Sequence, residues 1–217
     1  MIDFAAARRM MVDCQVHTAD VTDLRILAAM LDVPRERFFP EDKAQLAYLD
    51  LDVVVSAPGQ PSRRLLKPMV LAKLIHLAAV AETDRVLDIG CATGYGVSIL
   101  SHLAGAVVGL EEDAGLARQA GEALGSAAKI VTGPLAKGCP AEEPFDVIVL
   151  EGAAEQVPQD LFNQLKEGGR LVGVVGRGPD AKAMLYRRTD GDISGRPVFD
   201  AAAAPLPGFA RPPQFVF

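Results

Sequence analysis

Val86-Leu87-Asp88-Ile89-Gly90-Cys91-Ala92-Thr93-Gly94-Tyr95 joins a short apolar run to a turn punctuated by two glycines. The run predicts a strand over 85–89, and Gly90 and Gly94 flank a tight turn into a helix predicted near 94–104. A turn of this kind at the carboxyl end of a strand aims backbone N–H groups at a ligand. Downstream, short apolar runs alternate with helical segments: strands at 106–110, 128–132, 145–150 and 169–175, helices at 113–124 and 158–166. That alternation predicts an α/β fold, a mostly parallel sheet with crossover helices on both faces. Pieces at 182–189, 196–200 and 213–217 read as further strands.

Upstream the pattern is helical. Residues 3–18 and 22–32 read as two amphipathic helices, the second opened by Asp20, Thr22 and Asp23 as cap residues. The prolines of Val33–Pro40 bar helix continuation, 51–61 is extended and turn-rich, and 65–80 reads as a helix with Pro68 near its first turn. The expected organisation is a helical cap over 1–82 and a core over 83–217, together one compact domain.

With 217 residues, half of them hydrophobic and 23% charged, the chain predicts a packed soluble core. No apolar run reaches the roughly 20 residues that span a bilayer, and no signal core follows the N-terminus; the expectation is a cytoplasmic protein with no membrane partner. A net charge of −6 speaks against nucleic acid as principal partner. Cys14, Cys91 and Cys139, like His17, His76 and His102, are scattered, which predicts neither a disulfide framework nor a metal site. Arg63, Arg64 and Lys67 cluster, as a solvated basic turn or as a contact for an anionic substrate. Nothing in the sequence fixes the oligomeric state.

A glycine turn serves many nucleotide ligands, and Asp88 discriminates among them. A carboxylate two residues before Gly90 would repel a pyrophosphate but attract the ammonium and sulfonium of S-adenosylmethionine. A unit-charge pair about 4 Å apart is worth on the order of 4 kcal/mol at an effective dielectric near ~20. Asp88, Gly90, Cys91, Thr93 and Gly94 are therefore candidate residues for that cofactor. Glu111 closes the next strand, 17 residues after Gly94, about where such sites place an acid for the ribose hydroxyls. Glu112 is the alternative, and an acidic helix cap is the competing role for both.

Several segments together resemble the protein L-isoaspartate O-methyltransferase family over nearly the whole chain. They are Val33-Pro34-Arg35-Glu36-Arg37-Phe38, Val86–Leu100 with Glu111, Pro144–Val149, Ala153-Ala154, Val157-Pro158, and Gln164–Val172. The resemblance implies a Rossmann-like, S-adenosylmethionine-dependent methyltransferase fold with a seven-stranded sheet and the helical cap over the active site. It also implies methyl transfer to the α-carboxylate of isoaspartyl residues in damaged proteins, the first step of their repair.

Departures from the family pattern bear on that activity. Leu66 stands where the family has a substrate-holding serine, and Ala92 replaces the middle glycine of the turn, which is tolerable at negative φ. Gly133-Pro134-Leu135 stands where an acid reaches the adenine, leaving Pro134 and Leu135 against that ring. Glu151 replaces a small polar residue and is expected to face the methyl-donor pocket, helping the sulfonium while repelling a carboxylate acceptor. Ser62, Arg63 and Arg64 are the candidates to replace the lost serine. The reaction itself needs no general base, because the acceptor carboxylate is already ionised, so no catalytic residue is assigned. A methyltransferase with another substrate and a non-catalytic cofactor-binding or scaffold protein are the competing readings.

Overall fold

The computed structural model describes residues 2–212. α1 (Phe4–Met11) starts on Asp3, whose carboxylate accepts the Ala6 N–H. The helix predicted over 3–18 changes pitch after Met11, through a π-helical turn over Val12–Val16 and a 3-10 turn over His17–Ala19 ended by Asp20 at φ 65°. α2 (Leu24–Asp32) is capped by Asp23. Short strands β1 (Val53–Val54) and β2 (Arg64–Leu65) pair antiparallel, so the helix expected from residue 65 begins later, as α3 (Pro68–Ala78). Proline in that first turn loses no hydrogen bond, since the first N–H groups of a helix have no internal partner.

The sheet follows: β3 (Arg85–Ile89), α4 (Tyr95–Ser101), β4 (Ala106–Glu111), α5 (Ala114–Leu124), β5 (Lys129–Thr132), β6 (Phe145–Ala154), α6 (Gln159–Asn163), β7 (Leu165–Val175), β8 (Lys182–Thr189) and β9 (Asp192–Asp200). The seven strands lie in the order β5-β4-β3-β6-β7-β8-β9. The first five run parallel, and β7–β8 and β8–β9 pair antiparallel. The helix expected over 158–166 stops at Asn163 because Leu165 already pairs with Phe145; the ladder then shifts register past Gly168, at φ 76°. The piece expected at 196–200 is the second half of β9, turned from β8 by Asp190-Gly191, both at positive φ, as a tight hairpin of this hand requires. The piece expected at 213–217 lies outside the described residues.

Alternation along the strands divides the core. Val86, Val147, Val149, Val172 and Val174 share one apolar cluster with Met11, Met30, Leu71 and Leu74 of the N-terminal helices. Leu87, Ile89, Ile148, Leu150 and Leu171 face the other way, against Leu161, Phe162 and Phe209. Arg170 ties α3 to the sheet: its guanidinium donates to the carbonyls of Ala78 (2.6 Å) and Ala79 (2.7 Å) and to Asp84 (2.7 Å). Among the described residues, no helix is long and apolar enough to cross a membrane.

Strand order reverses about β3 and β6, and a sheet of this kind binds ligands where the carboxyl ends of two such strands part. The Gly90 turn and Glu151 stand at that point.

Candidate functional site

Ile89 sits opposite Leu110 of β4 and Leu150 of β6. Gly90, Glu111 and Glu151 therefore leave the sheet at one level, with Asp88 just beneath. Gly90 (φ 81°) and Gly94 (φ 93°) take the left-handed conformations their turn needs. A Cβ on Gly94 would lie 3.0 Å from Leu124 and 3.1 Å from Ala120.

Ala92 departs from the condition set for it by the sequence: its φ is +49°. It is fully buried, and its N–H donates to Glu111 Oε2 at 2.8 Å. A left-handed alanine costs about 1–2 kcal/mol, so Ala92→Gly is expected to raise stability by about 1 kcal/mol, less the entropy glycine adds to the unfolded chain. Urea unfolding checks this; an unchanged or lower midpoint would mean that the turn relaxes to negative φ in solution.

Glu111 is fully buried and saturated with donors. The N–H groups of Glu112 (2.9 Å) and Asp113 (3.1 Å) reach Oε1, and that of Ala92 reaches Oε2. Arg63 adds a bidentate pair, Nε to Oε1 at 3.1 Å and Nη2 to Oε2 at 2.9 Å. The Arg63 side chain is 5% exposed, so the solvated basic turn is not what forms: Arg63 turns inward, while Arg64 donates to the Asp52 carbonyl at 3.2 Å. Ser62 faces solvent.

Asp88 and Glu151 are a contrasting pair. Both are buried, and all four carboxylate oxygens lack a hydrogen-bond donor among the described residues. They meet over Gly96, where a Cβ would lie 1.6 Å from Glu151 Oε1 and 3.1 Å from Asp88 Oδ2. Burial, with the Glu111 charge adding to it, pushes Asp88 up to about 7. Burial and the Asp88 charge hold Glu151 well above the usual range. A proton on Glu151 lets it donate to Asp88, and one proton for three carboxyls also balances the site against its two guanidiniums, Arg63 and Arg35.

Arg35 is a member of the site that sequence reasoning took for a loop residue. It is 1% exposed, donates to the carbonyls of Ala47 (2.7 Å) and Leu66 (2.6 Å), and stacks 4.4 Å from the Tyr95 ring centroid. Its Nη1 has no partner among the described residues. Burial lowers its pKa, and the neighbouring Tyr95 partly offsets that. The available signal was weak: Arg35 stands with Glu36 and Arg37 in a charged triplet between Pro34 and Phe38, and nothing local marks it as the one that turns inward. Leu66, in the place of the family's serine, has its side chain buried and its carbonyl held by Arg35.

Remaining candidates divide. Cys91 is buried in the turn, its thiol pushed up by burial and the three acids around it. Thr93 gives its hydroxyl to the Phe38 carbonyl at 2.7 Å, joining cap to turn. Leu135 is buried, whereas Glu112 and Pro134 are exposed. No cluster of metal-ligating side chains occurs among the described residues.

The C-terminal segment, silent in the sequence, crosses this end of the sheet. Ala153 N–H donates to the Ala204 carbonyl (2.7 Å), Leu206 N–H to the Ala153 carbonyl (2.8 Å), and Ala153 bridges Pro205 in parallel. A Cβ on Gly90 would lie 2.7 Å from Leu206 Cδ2 and 2.9 Å from Arg63 Nη2. The turn is thus roofed by Leu206 and Arg63. On the outer side of Arg63, a groove of about 750 Å³ is lined by Arg63 itself with Gln60, Glu112, Gln119 and Pro207.

Comparison with known proteins agrees with this architecture. The chain is 36% identical over 207 residues to a protein-L-isoaspartate O-methyltransferase of Rhodopseudomonas palustris, covering 91% of this chain and 92% of the relative. A solved protein-L-isoaspartate O-methyltransferase superposes with TM-score 0.79 at 26% identity, covering 93% of this chain and 66% of that one. The Plasmodium falciparum structure described as a putative protein-L-isoaspartate O-methyltransferase in complex with S-adenosyl-L-homocysteine has the same fold, with TM-score 0.74 at 20% identity over 91% and 96% of the two chains. The sequence profile described as protein-L-isoaspartate(D-aspartate) O-methyltransferase matches residues 7–208, and the chain belongs to that family.

Proposed function

We propose that this chain is an S-adenosylmethionine-dependent methyltransferase acting on the α-carboxylate of isoaspartyl residues in proteins, with residues 1–82 as a cap on a core over 83–217. The observation that carries the reading is the set of three buried carboxyls, Asp88, Glu111 and Glu151, where β3, β4 and β6 end, in a chain of this family.

The cofactor fits these residues chemically. Asp88 and Glu151 present four buried oxygens without donors, and a buried carboxylate demands a cation or donors. The ammonium and sulfonium supply both, and Glu111 is placed for the ribose hydroxyls once Arg63 leaves it. When bound, the cofactor supplies an electrophilic methyl group on sulfur. The substrate carboxylate oxygen takes that methyl, the C–S electron pair stays on sulfur, and no proton moves. Accordingly the chain's own groups bind, orient and exclude water, and alignment can contribute a large factor. Three free cysteines suit a reducing cytoplasm, where we place the protein.

A radiolabelled methyl assay tests the reading, comparing an isoaspartyl peptide with its normal aspartyl twin. Base-labile label on the first peptide alone is the expected result. Cofactor binding without label on either peptide would overturn the repair activity.

A further inference from the structure

Resting on the function proposed above, we infer that Arg63 is a carboxylate receptor for the substrate, held shut on Glu111 until the cofactor displaces it.

The two ligands of Glu111 exclude one another. An ionised carboxylate offers about four acceptor positions, and Glu111 already takes three backbone N–H groups and two from Arg63. Ribose hydroxyls can be accepted there only in place of the guanidinium. The space points the same way: Arg63 lines the groove and its guanidinium lies on the buried Glu111 carboxylate, so the side chain stands between open volume and Glu111. With Arg63 withdrawn, Glu111 becomes the floor of that groove.

A displaced Arg63 stays at the site. Its N–H donates to Ser56 Oγ at 3.1 Å and its carbonyl accepts the Val55 N–H at 2.9 Å, while Arg64 and Leu65 are paired to β1. The backbone is anchored, and the exposed loop of residues 57–62 beside it leaves room for the side chain to swing. A guanidinium that has left its carboxylate can turn to water or to another anion, and a carboxylate brought to the groove is the stronger partner. Its fork matches a carboxylate. An isoaspartyl substrate carries a free α-carboxylate, and Leu66 offers no side-chain donor to hold it. One N–H on one oxygen would orient that group and leave the other oxygen free to attack. Cofactor and substrate then bind in a fixed order, and the same arginine blocks the first site and forms part of the second.

Calorimetry with S-adenosylhomocysteine, which has no methyl to transfer, and an isoaspartyl peptide that keeps its α-carboxylate tests this. The native chain is expected to bind the peptide at least tenfold more tightly with S-adenosylhomocysteine present than without it. Arg63→Ala is expected to bind S-adenosylhomocysteine at least tenfold more tightly than the native chain, and to lose at least tenfold in peptide affinity. Arg63→Gln, which keeps a donor without the charge, stands in if the alanine variant fails to fold; the native-chain experiment needs no variant. Equal S-adenosylhomocysteine affinity in native and variant proteins, or peptide binding indifferent to it, overturns the latch alone. Failure of both proteins to bind S-adenosylhomocysteine overturns the function proposed above, and the latch with it.

Discussion

Glu111→Ala is expected to lower the free energy of unfolding by about 3–5 kcal/mol, the cost of removing one partner of a buried ion pair, and to abolish cofactor binding. The substitution strands the Arg63 guanidinium and leaves the N–H groups of Ala92, Glu112 and Asp113 without their acceptor. Because Arg63 sits beside an exposed loop, its side chain can escape to water, which sets the loss at the lower end of that range. Urea unfolding of Glu111→Ala, Arg63→Ala and the double variant isolates the pair. A coupling of about 2 kcal/mol is expected for groups in direct contact. Strictly additive losses would mean that the two side chains do not meet in solution.

A second large effect is electrostatic and depends on pH. Asp88 is raised from 3.8 to about 7, first by burial. Below pH 3.8 this carboxyl is protonated in both folded and unfolded chains and costs nothing. Between there and about pH 7 the unfolded chain releases the proton while the folded chain keeps it, so folding is progressively disfavoured. Above about 7 the full penalty stands, on the order of a few kcal/mol. Glu151→Gln removes a carboxyl whose own proton is held by burial and the Asp88 charge, so the penalty Glu151 adds above its ordinary value of 4.5 vanishes, while the amide still donates to Asp88. The expected result is a native stability curve that falls relative to the variant's as pH rises above 4.5. The surface acids Asp23, Glu142, Asp146 and Asp200, all lowered by basic partners, act in the opposite sense but identically in both proteins, so the difference is diagnostic. Parallel curves would show that Glu151 is not held protonated in the folded chain.

The core was legible where periodicity governs. Val86–Ile89 and Val107–Leu110 are short, apolar and bounded by glycine or acid, and β3 and β4 formed within a residue of the expected bounds. Asp88 and Glu111 were found because their distance from the glycine turn is set by strand and helix length, which local sequence carries. What was not legible depends on contacts distant in sequence. Arg63 meets Glu111 across 48 positions, and Leu206 crosses Gly90 across more than a hundred. Nothing near Arg63 distinguishes an inward guanidinium from a solvated one. The sign of φ at Ala92 was equally hidden, since alanine takes the left-handed conformation only when its surroundings impose it. Helix ends erred where tertiary pairing overrode propensity, as at Leu165, claimed by Phe145.

Leu206 also dictates when the pocket can close. A chain made from its N-terminus has all five parallel strands, and hence the full carboxylate trio, some thirty residues before that leucine is synthesised. Until then Arg63 alone covers the turn, and Leu206 completes the roof after the parallel strands are made. A nascent chain held on the ribosome at β7 would therefore offer small molecules easier access to Gly90 than the finished protein does.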